Sequence, residues 1–218
     1  MSLVRSADEV RDEALAYPVD RSEVAFAPDR VIAVHTDVVR MPHGTTATRD
    51  VVVHPGAVGV VALDDDDRVL LLRQYRHPVR RMLWEPPAGL LDQSGEPPLD
   101  AARRELFEEA GVRAGQWWVL VDAFTSPGMS DEAVRVYLAR DLTVTPHERP
   151  EGDHEERDMP LAWVPLDDAV ERIAAGELHN PLCLMGVLAA VAARARGWSG
   201  LRPADAPWPE RPVSGEKA

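Results

Sequence analysis

The sequence predicts an α+β layered domain, and three observations carry that prediction. Short Val-rich runs recur between turn-forming breaks through the first half of the chain. A helix-like stretch, 98–110, interrupts those runs, and two more helical stretches follow the last of them. Strands around one central helix, with helices closing the region, read as layers of helix and sheet.

Residues 1–28 are polar and mixed, and read as a short helix followed by a Pro-punctuated link. The runs 31–39 and 45–54 flank Met41-Pro42-His43-Gly44, a turn-like break, and predict a hairpin. The runs 58–63 and 69–73 flank four consecutive aspartates, residues 64–67. Four such side chains raise the idea of a cation site. Turns favour Asp, however, and these converge on nothing else, so a solvated hairpin turn is the better reading. Further along, 117–124 and 134–139 read as strands separated by a Pro- and Gly-containing loop, 125–132.

A long acidic segment, 141–160, has the length of a functional or disordered loop. A short strand is expected at 161–164, then helices at 167–175 and 182–196, with Asn180-Pro181 marking the second start. The domain division expected is a β-region over 1–54, a main domain over 55–198, and a Pro-rich tail over 199–218. That tail reads as disordered or laid on a partner. No internal repeat is visible.

Composition narrows the function classes. A net charge of −13 argues against nucleic acid as a partner, because phosphate-backbone binding needs Lys and Arg. The single cysteine, Cys183, excludes an internal disulfide and a cysteine-based zinc cluster; in an apolar helix it reads as a buried structural thiol. The N-terminal residues lack the apolar core of a signal peptide, and no run of 18 apolar residues exists. A cytoplasmic protein with no membrane partner is the expectation. The seven histidines contain no His-x-x-x-His pair. Trp84, Trp117 and Trp118 are better read as packing residues than as stacking platforms, and Tyr137 as core.

The most informative stretch is 89–112, GLLDQSGEPPLDAARRELFEEAGV. Glu105, Glu108 and Glu109 stand at offsets of zero, three and four, which puts them on one helical face. They occupy the last two turns before Gly111, a C′-type glycine, where the helix dipole disfavours negative charge. Spacing alone leaves two readings, a solvated acidic face and a cation site. The unfavourable end of the helix and the upstream turn Pro87-Ala88-Gly89 weigh toward a divalent metal, since glycine lets backbone approach a ligand closely. Arg104 is four residues before Glu108, the weaker order for helix stability, and reads as a device that orients a carboxylate.

This stretch resembles the Nudix box, G-x5-E-x7-R-E-U-x-E-E-x-G-U with U aliphatic. Residues 104–112, Arg-Glu-Leu-Phe-Glu-Glu-Ala-Gly-Val, match without fault, and Glu96 precedes Arg104 with seven residues between. Six residues rather than five separate Gly89 from Glu96, so the leading loop carries one extra residue. Around the box, Gln74-Tyr75-Arg76-His77-Pro78, Trp84-Glu85, Pro87-Ala88-Gly89, Ser126-Pro127-Gly128 and His154-Glu155-Glu156 are similar to ADP-ribose pyrophosphatases of the actinobacterial type.

The resemblance implies a Nudix fold, an α/β/α sandwich around a mixed β-sheet with an N-terminal antiparallel β-region. It implies Mg²⁺, with Mn²⁺ as substitute, held by Glu105, Glu108, Glu109 and the Ala88 carbonyl. Arg104 and Glu109 belong to the catalytic machinery on this reading. Glu156, or else Glu155, is the general base. Arg76, Glu85, Pro127, Gly128 and Ser130 face the substrate, with Arg suited to diphosphate. The implied partner set is a small nucleoside diphosphate sugar and a second copy of the chain. The implied reaction is hydrolysis of ADP-ribose to AMP and ribose 5-phosphate. The competing readings are a pyrophosphatase for ADP-glucose or GDP-mannose, and a catalytically silent ligand-binding regulator.

Overall fold

The protein is described by a computed structural model over residues 15–26, 31–145 and 159–211. Its contacts divide the chain into two units, Met1–Val52 and Val53–Ala218.

The first unit is a three-stranded sheet in the order β1 (Val19–Phe26), β2 (Ala33–Arg40), β3 (Thr46–Val53). The expected hairpin forms between β2 and β3. Its turn is closed by the Met41 N–H to Thr45 O bond at 2.8 Å, and Gly44 takes φ +82°. The helix-and-link reading of 1–28 is corrected at Val19–Phe26, which is strand. β1 pairs antiparallel with β2, Val24 opposite His35. Every residue of β1 is exposed, so no buried face imprints a period on its sequence. Cross-strand polar pairs align it instead: Ser22 Oγ donates to Asp37 at 2.5 Å, and Arg40 pairs with Asp20.

Among its described residues the second unit contains two sheets and three α-helices. A five-stranded mixed sheet runs β11 (Arg202–Pro203), β8 (Val112–Phe124), β9 (Ala133–Val144), β4 (Ala57–Ala62), β7 (Ala88–Leu90). Only the β4–β9 pair within it is parallel. The second sheet is β10 (Leu161–Pro165), β5 (Arg68–Arg76), β6 (Arg81–Glu85), antiparallel throughout. The helices are α1 (Pro98–Ala110), α2 (Leu166–Ala174) and α3 (Pro181–Arg194).

All six residues of β4 are buried, and their alternation serves two cores. Val58, Val60 and Ala62 join Ala101, Ala102, Leu106 and Ala110 of α1. Ala57 and Val61 join Leu166 and Ala169 of α2 and Leu182, Cys183 and Val187 of α3. Helices on both faces of a mixed sheet make the expected α/β/α sandwich. Burying a side chain such as Leu106 contributes about 1.5–3 kcal/mol. On the α3 side Gly186 permits close approach, since a Cβ there would lie 2.6 Å from Val61 Cγ2. Trp117 and Tyr137 are both buried and meet edge to face at 6.2 Å, as core aromatics.

The four aspartates form a turn, as expected, but an organised one. Asp64 accepts from the Arg68 backbone at 2.8 Å and from its guanidinium at 2.7 Å, while Arg140 donates to Asp67 at 3.0 Å. β9 extends to Val144 and so absorbs the first residues of the expected acidic loop. The expectation of a disordered or partner-bound tail is corrected over 201–211. Arg202 and Pro203 pair with Val119 and Trp118 at the sheet edge. Arg135, only 2% exposed, donates to Ala206 O at 2.8 Å and Pro207 O at 3.2 Å, and lies 4.7 Å from the Trp208 ring. Asp122 accepts from Arg135 at 2.8 and 2.9 Å and forms an ion pair with Arg202 at 2.9 Å. A buried cation needs this many partners, which is why the tail is fixed.

Candidate active site

Helix α1 begins with Pro98 at its first turn and ends at Gly111, φ +64°, whose N–H returns to Phe107 O at 2.8 Å. Its last turn holds no basic residue. The carboxylates there are compensated from two other directions.

Arg104 supplies the first. Its Nε and Nη2 form a fork on Glu96 at 2.9 and 3.0 Å, and Nη1 donates to Glu105 at 2.7 Å and Glu108 at 2.9 Å. The pair read from four-residue spacing therefore forms, within a cluster of one guanidinium and three carboxylates. Hydrogen bonds from Arg104 hold the Glu96 carboxyl below its usual range, against the burial that would raise it. The same bonds to Glu96 keep the Arg104 guanidinium still more firmly protonated.

The backbone ahead of the box supplies the second. Ala88 N–H donates to Glu109 Oε2 at 2.9 Å, and Glu109 is buried. The ladder fixes this segment: Gly59 stands opposite Ala88, Val60 N–H donates to Pro87 O at 2.8 Å, and Leu91 N–H to Gly56 O at 3.0 Å. Gly89 lies against Glu105. A Cβ at Gly89 would stand 2.0 Å from Glu105 Oε1 and 2.3 Å from its Cγ. Only glycine leaves that space, so the box glycine is a contact residue as well as a turn former.

Among the described residues, no three His, Cys, Asp or Glu side chains are gathered tightly enough, as placed, to grip an ion. The donor chemistry nevertheless fits a hard divalent cation: carboxylate oxygens from one helix face and a backbone segment packed against them. An ionised carboxylate has roughly four lone-pair sites, so a bond to Arg104 does not exhaust it.

Arg76 and Glu85, both expected at the substrate, are brought together as a fork of 2.9, 3.1 and 2.6 Å. Glu85 is 1% exposed, while Arg76 at the end of β5 is partly open to solvent. The buried carboxylate thus orients the guanidinium. Cys183 is buried at the start of α3, and burial together with the Glu85 charge pushes its thiol up to about 12. That is the structural thiol expected. Pro127, Gly128 and Ser130 share one loop between β8 and β9, in which Met129 and Ser130 N–H groups donate to Ser126 O at 3.0 and 2.9 Å. His154, Glu155 and Glu156 lie outside the described residues. One residue passed over in the sequence is His54, whose backbone N–H donates to Asp131 Oδ1 at 2.8 Å. A loop histidine far from the box in sequence carries no signal of that contact.

The sandwich, the box helix and its arginine-bound carboxylates define a Nudix domain, and the family's NUDIX domain model matches residues 53–182. The chain belongs to the Nudix family, whose hydrolases use a divalent metal. It is 50% identical to an ADP-ribose pyrophosphatase of Mycobacterium tuberculosis over 184 residues, 84% of this chain and 87% of that one. An ADP-ribose pyrophosphatase of Bacillus subtilis is 37% identical over 151 residues, 69% and 80% of the two chains. Among solved structures, an ADP compounds hydrolase superposes with a TM-score of 0.72 at 22% identity, covering 86% of this chain and 99% of that one, a likeness of fold. Among the described residues, no helix is long and apolar enough to cross a membrane.

Proposed function

We propose that this chain hydrolyses the pyrophosphate bond of ADP-ribose, giving AMP and ribose 5-phosphate. The observation that carries the reading is half-identity to a protein of that activity across most of both chains, with the box carboxylates and Arg104 all present. The substrate is a doubly charged diphosphate, and the helix face it must meet is itself acidic. A cation has to stand between them.

Mg²⁺, with Mn²⁺ as substitute, is the cation assigned, held by Glu105, Glu108, Glu109 and the Ala88 carbonyl. When bound it supplies Lewis acidity to phosphoryl oxygen and a lowered pKa to a coordinated water. Arg104 holds Glu105 and Glu108 in place through its Nη1 hydrogen bonds. The Ala88 N–H holds one oxygen of Glu109, which fixes the carboxylate plane. Arg76, steadied by Glu85, is suited to grip the diphosphate. Glu156, with Glu155 as second candidate, takes the proton of the attacking water. Pro127, Gly128 and Ser130 border the substrate.

We assign the protein to the cytoplasm as a homodimer. The exposed apolar side chains of β1, among them Val24 and Phe26, support a partner for that sheet. A light-scattering mass equal to one chain would remove the dimer. The function itself is tested with a panel of ADP-ribose, ADP-glucose and GDP-mannose in the presence of Mg²⁺, with products separated by chromatography. AMP should appear fastest from ADP-ribose. A faster reaction with either of the other two would reassign the substrate, and tight binding without turnover would mark a silent regulator.

A further inference from the structure

We infer that His54 is a positioning residue for the loop 125–132 and, through that loop, for the choice of substrate. The inference rests on the reading above that this loop borders the substrate.

The loop leaves the sheet at Phe124 and returns at Ala133, which face each other in register. Its neck is closed by the Thr125 N–H to Glu132 O bond at 3.3 Å and by the Thr125 hydroxyl on the Glu132 carboxylate. Inside it, Glu132 N–H donates to Ser130 Oγ at 3.1 Å, beside the turn on Ser126 O. These bonds give the loop its shape but do not fix where it sits over the sheet.

The link 54–56 reaches the loop from outside. His54 N–H donates to Asp131 Oδ1 at 2.8 Å, and the imidazole Nδ1 stands 3.6 Å from Glu132 Oε1. The ring is locked in turn, because Gly56 N–H donates to Nδ1 at 3.1 Å. An accepting Nδ1 puts the proton of the neutral ring on Nε2. The approach to Glu132 is then a contact rather than a hydrogen bond. Gly56 can turn in this way because it takes φ +87°, and a Cβ there would stand 3.0 Å from Ala133 O.

The same link also touches the metal-side strand. Gly56 O accepts from Leu91 N–H at 3.0 Å, at the end of the strand that carries Ala88 and Gly89. Three residues thus clamp the loop at one side and the strand of the carboxylate site at the other. Losing the His54 ring frees the Gly56 amide and removes the contact on Glu132, while the backbone bond to Asp131 remains. The loop then samples more positions, and binding pays that ordering cost.

The test compares His54→Ala and His54→Asn in steady-state kinetics with ADP-ribose and ADP-glucose. Asn Oδ1 can accept from the amide two residues on, as Nδ1 does here. His54→Ala should raise KM for ADP-ribose about fivefold, keep kcat within about twofold, and narrow the preference over ADP-glucose. His54→Asn should return KM to within about twofold of the parent. An unchanged KM in His54→Ala overturns the inference, as does a fall in kcat alone or a failure of Asn to rescue a folded protein. Pro127→Ala in the same assay separates the two levels. If it leaves selection unmoved, the reading of the loop fails and the His54 role falls with it. If it shifts selection while His54→Ala does not, only the His54 role is lost.

Discussion

Glu96 and Arg104 meet across the start of α1 as a fork, Oε1 and Oε2 each receiving one guanidinium N–H at 2.9 and 3.0 Å. The fork sets the plane of the guanidinium, and that plane aims Nη1 at Glu105 and Glu108. A lysine has no such plane. Arg104→Lys should therefore lower kcat by about 10- to 100-fold and raise the Mg²⁺ concentration for half-activity, the usual cost of losing a group that orients metal ligands. Metal titrations of turnover check both numbers, and parent-like curves would leave Arg104 as a surface ion-pair residue.

The fork also makes a pH signature. Glu96 is held below the usual carboxylate range by its bonds to Arg104, with burial opposing. A depressed folded pKa means the pair stabilises fully above the unfolded value of about 4.3, and its contribution is lost as pH falls through the folded value. Melting temperatures of parent and Glu96→Gln should thus differ most above about pH 5 and converge as the pH falls through the lowered folded value. A gap that widens in acid would contradict the assignment.

At Gly89 a single methyl group is expected to disable the site. Gly89→Ala places carbon 2.0 Å from Glu105 Oε1, and the carboxylate is the part that can move. Displacing it should remove most turnover at saturating substrate while costing about 1–3 kcal/mol of stability. Circular dichroism during thermal unfolding, beside kcat, separates the two effects. Unaltered turnover would show that Glu105 does not need its present place.

The docked tail carries the fourth prediction. Ending the chain after Gly200 strips Arg135 of two carbonyl acceptors and Asp122 of Arg202. Stability should fall by roughly 2–5 kcal/mol, read from urea midpoints, because a buried cation is left short of partners. The folded fraction should keep its turnover. A midpoint equal to that of the full chain would mean the docking is energetically idle.

What could be read from the sequence follows the range of each interaction. The box helix, its glycine stop and the Arg104–Glu108 pair depend on residues within a few turns, so spacing was enough. The strands β4, β5, β8 and β9 carry buried Val and Leu and were visible as runs. β1 was not, because a wholly exposed strand has no period, and β7 was not, because three residues make no pattern. The fork on Glu96 joins residues eight apart across a turn, and the contact of Gly89 with Glu105 depends on how a strand lies on a helix. The hold of Arg135 on residues 206 and 207 spans a third of the chain, and no local pattern announces it.

That last hold has a consequence for the order in which the protein is made. Translation completes β8 and β9 well before Trp208 is added, so Arg135 is synthesised long ahead of the carbonyls it donates to. Until the chain has passed that point, the α1-side core ends in a cation that lacks its two carbonyl acceptors, and in an edge strand with open hydrogen-bonding groups. An unfilled edge is a place where one nascent chain can pair with another. The catalytic layer can assemble early, but its sealing must wait for the residues that follow α3.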